Sequence, residues 1–217
     1  MVSLTGHLDH HVFQQVRDAN GLSLPREAYN REFRAAYEGA AGIVWKLERA
    51  QHFHEPYEPS WVAMAEGEWN RSLRLIEEMR RSFPADYEGF AEFRRIRVVD
   101  RPLTPYMQWE LHVLAARAEA GERARVVPAS AVRRYEPSRP LPELLILDGD
   151  LMYEVLYDHA GRHLGGRRLT DPHVIEPCRA ALIALYEGAR TWRRTTGARS
   201  CHCRLPAHPG EHTLNRR

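Results

Sequence analysis

The sequence predicts an α+β fold: a mainly antiparallel sheet with a C-terminal three-stranded meander and packed helices, followed by a Cys/His-rich tail. Three observations carry this reading. Helical and strand periodicities are mixed along the chain without strict βαβ alternation. Residues 143–169 hold three strand-like segments separated only by short Asp/Gly turns, the pattern of consecutive hairpins. The cysteines and histidines with ligand-like spacing lie beyond the last periodic segment, after Gly197. The implied organisation is an N-terminal extension (1–22), one α+β domain (23–196) and a basic tail (197–217).

Residues 1–22 lack firm periodicity. Ser23 ahead of Pro25 suggests a helix start, and Tyr29, Phe33 and Ala36 repeat at helical spacing before Gly39 and Gly42. Ile43, Trp45 and Leu47 alternate with Val44, Lys46 and Glu48, which predicts a strand with one buried face. Residues 51–59 read as a loop. From 66 to 83, Trp69, Leu73, Ile76 and Phe83 share a helical face that Pro84 ends. Ile96 and Val98 mark a second strand. Thr104-Pro105 caps a helix carrying Met107, Leu111, Leu114 and Ala118, with Gly121 as its stop. Residues 123–127 form a third strand, and four prolines make 128–142 a long connection. The hairpin strands cover 143–147, 151–157 and 162–169. Asp171-Pro172 then opens a last helix with the stripe Val174, Cys178, Leu182, Leu185 and Ala189.

With 217 residues, 43% hydrophobic and 28% charged, the chain has the composition of a globular domain. It contains no apolar run near the ~18 residues that a membrane helix needs. Residues 1–11 lack the charged start and apolar centre of a signal peptide, so a cytoplasmic location is expected. There three cysteines read as a core residue and metal ligands rather than disulfides. Lys46 is the only lysine among 31 basic residues. Net charge is +2, divided into +6 from Arg190 to Arg217 and −4 elsewhere. A basic tail on an acidic body could meet an anionic partner, nucleic acid included, or fold back on its own body.

The tail carries the sharpest chemical pattern. Cys201, Cys203, His208 and His212 supply two thiolates and two imidazoles, the ligands that zinc prefers in a closed structural site. The single residue between Cys201 and Cys203 is tight for this, and His202 could replace one thiolate. A Cys201–Cys203 redox pair and a plain solvated tail remain the alternatives. Cys178 reads as a buried core thiol. His52 and His54 beside Glu55 read as a polar loop.

Arg97, Tyr106, Trp109 and Glu110 surround the turn at 102–105 and are the candidate ligand-binding set. They would suit a planar or anionic ligand unless Arg97 and Glu110 close into a buried ion pair, which would remove that pocket. No phosphate-loop, dinucleotide, nucleophile-elbow or zincin motif occurs, and Gly165-Gly166 lies in a strand rather than before a helix. No catalytic residue is assigned.

Two segments carry a family resemblance. One runs Arg95-Ile-Arg-Val-Val-Asp-Arg-Pro-Leu-Thr-Pro-Tyr-Met-Gln-Trp-Glu-Leu. The other runs Leu145-Ile-Leu-Asp-Gly-Asp-Leu-Met-Tyr-Glu-Val-Leu-Tyr-Asp and continues through Gly161-Arg-His-Leu-Gly-Gly to Asp171-Pro-His-Val. From about residue 33 to 189 the chain resembles an actinobacterial family of uncharacterised proteins, domain of unknown function 6879. Leu145 and Ile146 depart from the aromatic that relatives often carry there, and the Cys/His tail is an addition. The resemblance implies a non-enzymatic regulatory or protein-interaction role, acting with a helix-turn-helix regulator. The alternatives are a small-molecule-binding domain or enzyme with a pocket near Arg97, Tyr106 and Glu110, and a nucleic-acid binder using the arginine-rich tail.

Overall fold

The alternation in Ile43–Glu48 decides how the domain is layered. In this strand, β2, Trp45 and Leu47 point into one core, while Lys46 and Glu48 point to the opposite face of the sheet. The neighbouring strand β3 (Glu92–Val99) repeats the division, with Ile96 and Val98 on the first face and Arg95 and Arg97 on the second. The structure is a computed structural model that describes residues 11–87 and 92–191.

The other strands are β1 (Leu22–Pro25), β4 (Arg123–Pro128), β5 (Glu143–Leu147), β6 (Leu151–Tyr157), β7 (His163–Leu169) and the two-residue β8 (Arg190–Thr191). They form one sheet in the order β1-β7-β6-β5-β2-β3-β4-β8. β5, β6 and β7 pair antiparallel in succession. At the centre, β2–β3 and β3–β4 are parallel. The sheet is therefore mixed: most pairings are antiparallel, and the parallel centre adds two crossovers that the sequence reading did not resolve.

The crossovers run through α3 (Pro59–Ala65) and α4 (Trp69–Met79), then through α5 (Pro105–Glu119). They escape the sequence reading because β3 is buried on both faces, yet carries arginines among its apolar residues. It therefore mimics a half-exposed antiparallel strand.

The first face is covered by α1 (Val12–Asp18), the short α6 (Ala129–Val132) and α7 (Pro172–Gly188). Phe13, Leu47, Ile96, Leu144, Ile146 and Leu182 are completely buried there. Burying each such side chain is worth about 1.5–3 kcal/mol. The boundary drawn at residue 22 needs correction. Val12, Phe13 and Val16 of α1 belong to this core, and Phe13 meets Tyr135 edge-on at 5.4 Å.

On the second face, α2 (Arg26–Gly39) covers β5 and β6 through Tyr29, Leu145 and Tyr153, while α3, α4 and α5 form a separate apolar cluster. The two helical groups leave an opening between them.

Local capping agrees with composition at two helix starts. Thr104 Oγ1 accepts from Met107 N–H at 3.1 Å, and Asp171 accepts from His173 N–H at 2.9 Å. Ser23 is not a cap, since it pairs with Arg167 in β1 and the helix begins at Arg26. The helix expected over 66–83 is the shorter α4, and Gly67, at φ 82°, separates its start from the end of α3. Among the described residues no helix is long and apolar enough to cross a membrane. Cys201, Cys203, His208 and His212 lie outside the described residues, as do residues 1–10.

Candidate functional site

The opening on the second face is a cleft of about 460 Å³. Its floor is charged because the parallel register of β2 and β3 sets Lys46 beside Arg95 and Glu48 beside Arg97. Arg95 is clasped from both sides. Its Nη1 donates to Glu48 Oε2 at 2.6 Å, its Nη2 to Glu122 Oε2 at 3.1 Å, and its Nε to Glu122 Oε1. Lys46 Nζ holds the other Glu48 oxygen at 2.6 Å. Glu122, placed by the turn after α5, also accepts from Tyr87 OH at 2.5 Å, and Arg117 Nη1 donates to that hydroxyl at 3.0 Å. The result is a continuous chain, Lys46–Glu48–Arg95–Glu122–Tyr87–Arg117, along the cleft.

Glu48 is 5% and Glu122 2% exposed. Burial is the largest single effect and would raise both carboxyls, but Arg95 together with the neighbouring donors and cations holds each below the usual carboxylate range. Lys46 adds to the effect on Glu48. Lys46 is the most exposed of Lys46, Glu48, Arg95 and Glu122, at 27%.

The four residues singled out near the 102–105 turn do not act together. Arg97 is fully buried. Its Nε donates to Glu110 Oε2 at 2.7 Å, Nη1 to Val98 O at 3.2 Å, and Nη2 lies 3.0 Å from Met107 Sδ. Tyr106 is also buried, and its OH donates to Glu55 Oε1 at 2.7 Å. The closed Arg97–Glu110 pair removes the pocket drawn around Arg97 and Tyr106. Trp109 and Glu110 instead form part of the cleft wall, and Trp109 Nε1 donates to Ser60 Oγ at 3.1 Å.

Sequence reasoning does not single out Lys46, Glu48 or Glu122. A usable sign is present in Ile-Val-Trp-Lys-Leu-Glu and in Arg-Arg-Ile-Arg: charges at alternate positions of otherwise apolar strands. The segment after β2 adds Glu55 and Glu58. It is tied to the β6–β7 turn by His54 N–H donating to Gly161 O at 3.0 Å. The rings of His52 and His54 pack on Trp61 at 6.4 and 5.1 Å. Cys178 is buried in the opposite core, and that burial pushes its thiol up to about 12. Among the described residues no group of three or more His, Cys, Asp or Glu side chains is arranged to hold a metal ion.

Glu110 has a distinct electrostatic position. Burial pushes its carboxyl up to about 7, with Glu48 adding to the rise against the pull of Arg97. A carboxyl whose pKa is higher folded than unfolded holds more protons in the folded state. It therefore stabilises at low pH, and that contribution is lost as pH climbs from the ordinary 4.5 through 7.

Glu110→Gln removes this titration. The unfolding free energy of the native chain relative to the variant should fall between about pH 5 and pH 7, by up to about 1.4 kcal/mol per pH unit. Urea unfolding of both proteins across that range measures it. A difference that stays flat or grows with pH would show Glu110 to be an ordinary ion-paired carboxylate.

The model of a family described as a domain of unknown function, DUF6879, matches residues 31–195. The chain belongs to the DUF6879 family. The DUF6879 match takes in β2 to β8 and every helix from α3 onward. It includes all of the cleft lining except Tyr29 and Asn30 of α2. No curated protein matches the chain.

Among solved structures, this DUF6879 member is similar to TrmBL2, an archaeal chromatin protein whose structure is described as showing a novel mode of DNA binding. The identity is 11% and the TM-score 0.39, over 80% of this chain and 54% of that one. The chain thus spans about half the length of that protein, and a likeness of this degree carries no functional argument.

Proposed function

We propose that this chain is a non-enzymatic, ligand-binding regulatory domain whose cleft takes a small polar molecule. The observation that carries the reading is the cleft itself: about 460 Å³, walled by two helical groups and floored by an interlocked chain of charges. That volume suits a metabolite-sized ligand.

Binding is favoured over catalysis because the floor's acids and bases neutralise one another in fixed ion pairs, and a group so engaged is poorly placed to move protons for a substrate. A partner protein, such as the helix-turn-helix regulator implied by the family resemblance, would read the cleft's occupancy. An actinobacterial origin and a zinc-ordered tail through Cys201, Cys203, His208 and His212 belong to the same proposal.

Thermal unfolding in the presence of a library of small polar metabolites tests the reading. A ligand at about 100 times its dissociation constant should stabilise the fold by about 2.7 kcal/mol. Asn30, an exposed residue of α2 on the cleft wall, provides the control. Asn30→Trp fills the opening from an exposed helical position and should abolish that stabilisation. A library with no stabilising member, or an equal response from Asn30→Trp, would overturn the proposal.

A further inference from the structure

Charge in the cleft is unbalanced. Five carboxylates line it (Glu48, Glu55, Glu58, Glu110 and Glu122) against three cations, Lys46, Arg95 and Arg117. Arg97, behind the wall, offsets only one of the excess acids.

The hydrogen bonding is unbalanced in the same direction. Arg95 and Lys46 are both engaged by Glu48, and Arg95 also by Glu122. Three carboxylates, by contrast, have one oxygen occupied and one without a hydrogen-bond donor among the described residues. Glu110 uses Oε2 for Arg97, Glu55 uses Oε1 for Tyr106, and Glu58 uses Oε1 for Ser60. Glu110 is only 6% exposed and stands in the cleft wall. These three groups share one neighbourhood. Glu55 feels the charges of Glu48, Glu58 and Lys46, while Tyr106 feels those of Glu110, Glu55 and Glu48.

Aromatic rings also line the cleft, among them Tyr29, Phe33, Trp109 and Tyr157. Carboxylate acceptors with aromatic faces are the surroundings that attract an organic cation. A bare metal ion would need several converging donors, and no such group occurs among the described residues.

Resting on the reading of the cleft as a ligand site, we propose that its ligand is an organic ammonium. A primary or quaternary nitrogen on a compact apolar or aromatic body would sit with the nitrogen among Glu55, Glu58 and Glu110. The aromatic body would lie against the rings.

Isothermal titration of the full chain with phenethylamine and benzyltrimethylammonium, beside phenylacetate and myo-inositol, tests this. The two cations should bind, and the anion and the polyol should bind at least about tenfold more weakly. Two variants should move affinity in opposite directions. Glu55→Gln removes a charge with little change of shape and should weaken the cations by about tenfold. Lys46→Met removes the competing cation, frees Glu48, and should strengthen them.

Preference for phenylacetate or inositol would overturn the ammonium assignment while leaving the cleft a ligand site. Cation binding unaltered by both variants would place it elsewhere and overturn the proposal. Absence of binding by every probe would overturn it too, and the Asn30→Trp comparison then judges the cleft reading separately.

Discussion

Replacing Arg95 with methionine should destabilise the domain by about 3–5 kcal/mol, the cost of leaving buried charges without their partner. Arg95 joins Glu48 to Glu122, and neither carboxylate is more than 5% exposed. Without the guanidinium, Glu122 keeps the hydrogen bond from the Tyr87 hydroxyl and Glu48 keeps its pairing with Lys46.

The sign with pH follows from the same contacts. Both carboxyls sit below their ordinary pKa in the native fold, so they contribute stability above the unfolded value and lose it as pH falls. Arg95→Met forfeits that contribution, and the gap between native and variant should narrow as pH drops below about 4.5. Adding Glu48→Gln and Glu122→Gln to the variant should recover part of the loss at neutral pH, because no buried charge then lacks a partner. Urea unfolding at neutral and acid pH reads both effects. A neutral-pH loss under about 1 kcal/mol would mean that the ion pairs are screened like surface ones.

The second large effect is expected at Gly165. Its φ is 131°, a region that side chains rarely adopt, and it faces the backbone joining β1 to α2. A Cβ there would stand 2.2 Å from Leu24 O, 2.8 Å from Arg26 N and 2.9 Å from Pro25 C. None of these atoms ends a flexible side chain, so β1 and the start of α2 must move. Gly166 repeats the constraint one residue on, where a Cβ would meet the Tyr29 ring at 2.5 Å.

Gly165→Ala should cost at least about 3 kcal/mol from strain and lost strand pairing, which lowers Tm by roughly 6–12 °C in a domain of this size. Gly39→Ala is the matched control, since nothing lies within 4 Å of a Cβ there. It should be neutral or mildly stabilising. Equal Tm values for the two variants would refute the close-approach account. The same substitution should loosen α2, which carries the Tyr29 and Phe33 wall of the cleft.

Gly165-Gly166 reads as strand from sequence, and β7 contains it. Its purpose, however, depends on β1 and α2, far earlier in the chain. The Arg97–Glu110 contact is one of two outcomes open from the sequence, and its spacing across a tight turn makes it visible. The cleft is not visible there. It needs Glu48 and Arg95 to come together across a parallel pairing, and such a pairing leaves no short turn in the sequence to announce it. Helix α1 reads as an extension because only Val12, Phe13 and Val16 carry its apolar face. That face is recognisable only once α7 is there to receive it.

By itself, the sequence determined the local elements: the alternation of β2, the Asp/Gly turns of the hairpin strands, the caps at Thr104 and Asp171, and the apolar stripe of α7. Each depends on residues a few positions apart, where backbone sterics and side-chain period suffice. Only the tertiary structure decided the parallel centre of the sheet and the burial of five charged side chains beside it: Glu48, Arg95, Arg97, Glu110 and Glu122. A charge on a strand reads as solvent-facing until another chain segment supplies its counter-charge. In the low dielectric of the interior, that distant partner then matters more to its energy than any residue beside it in sequence.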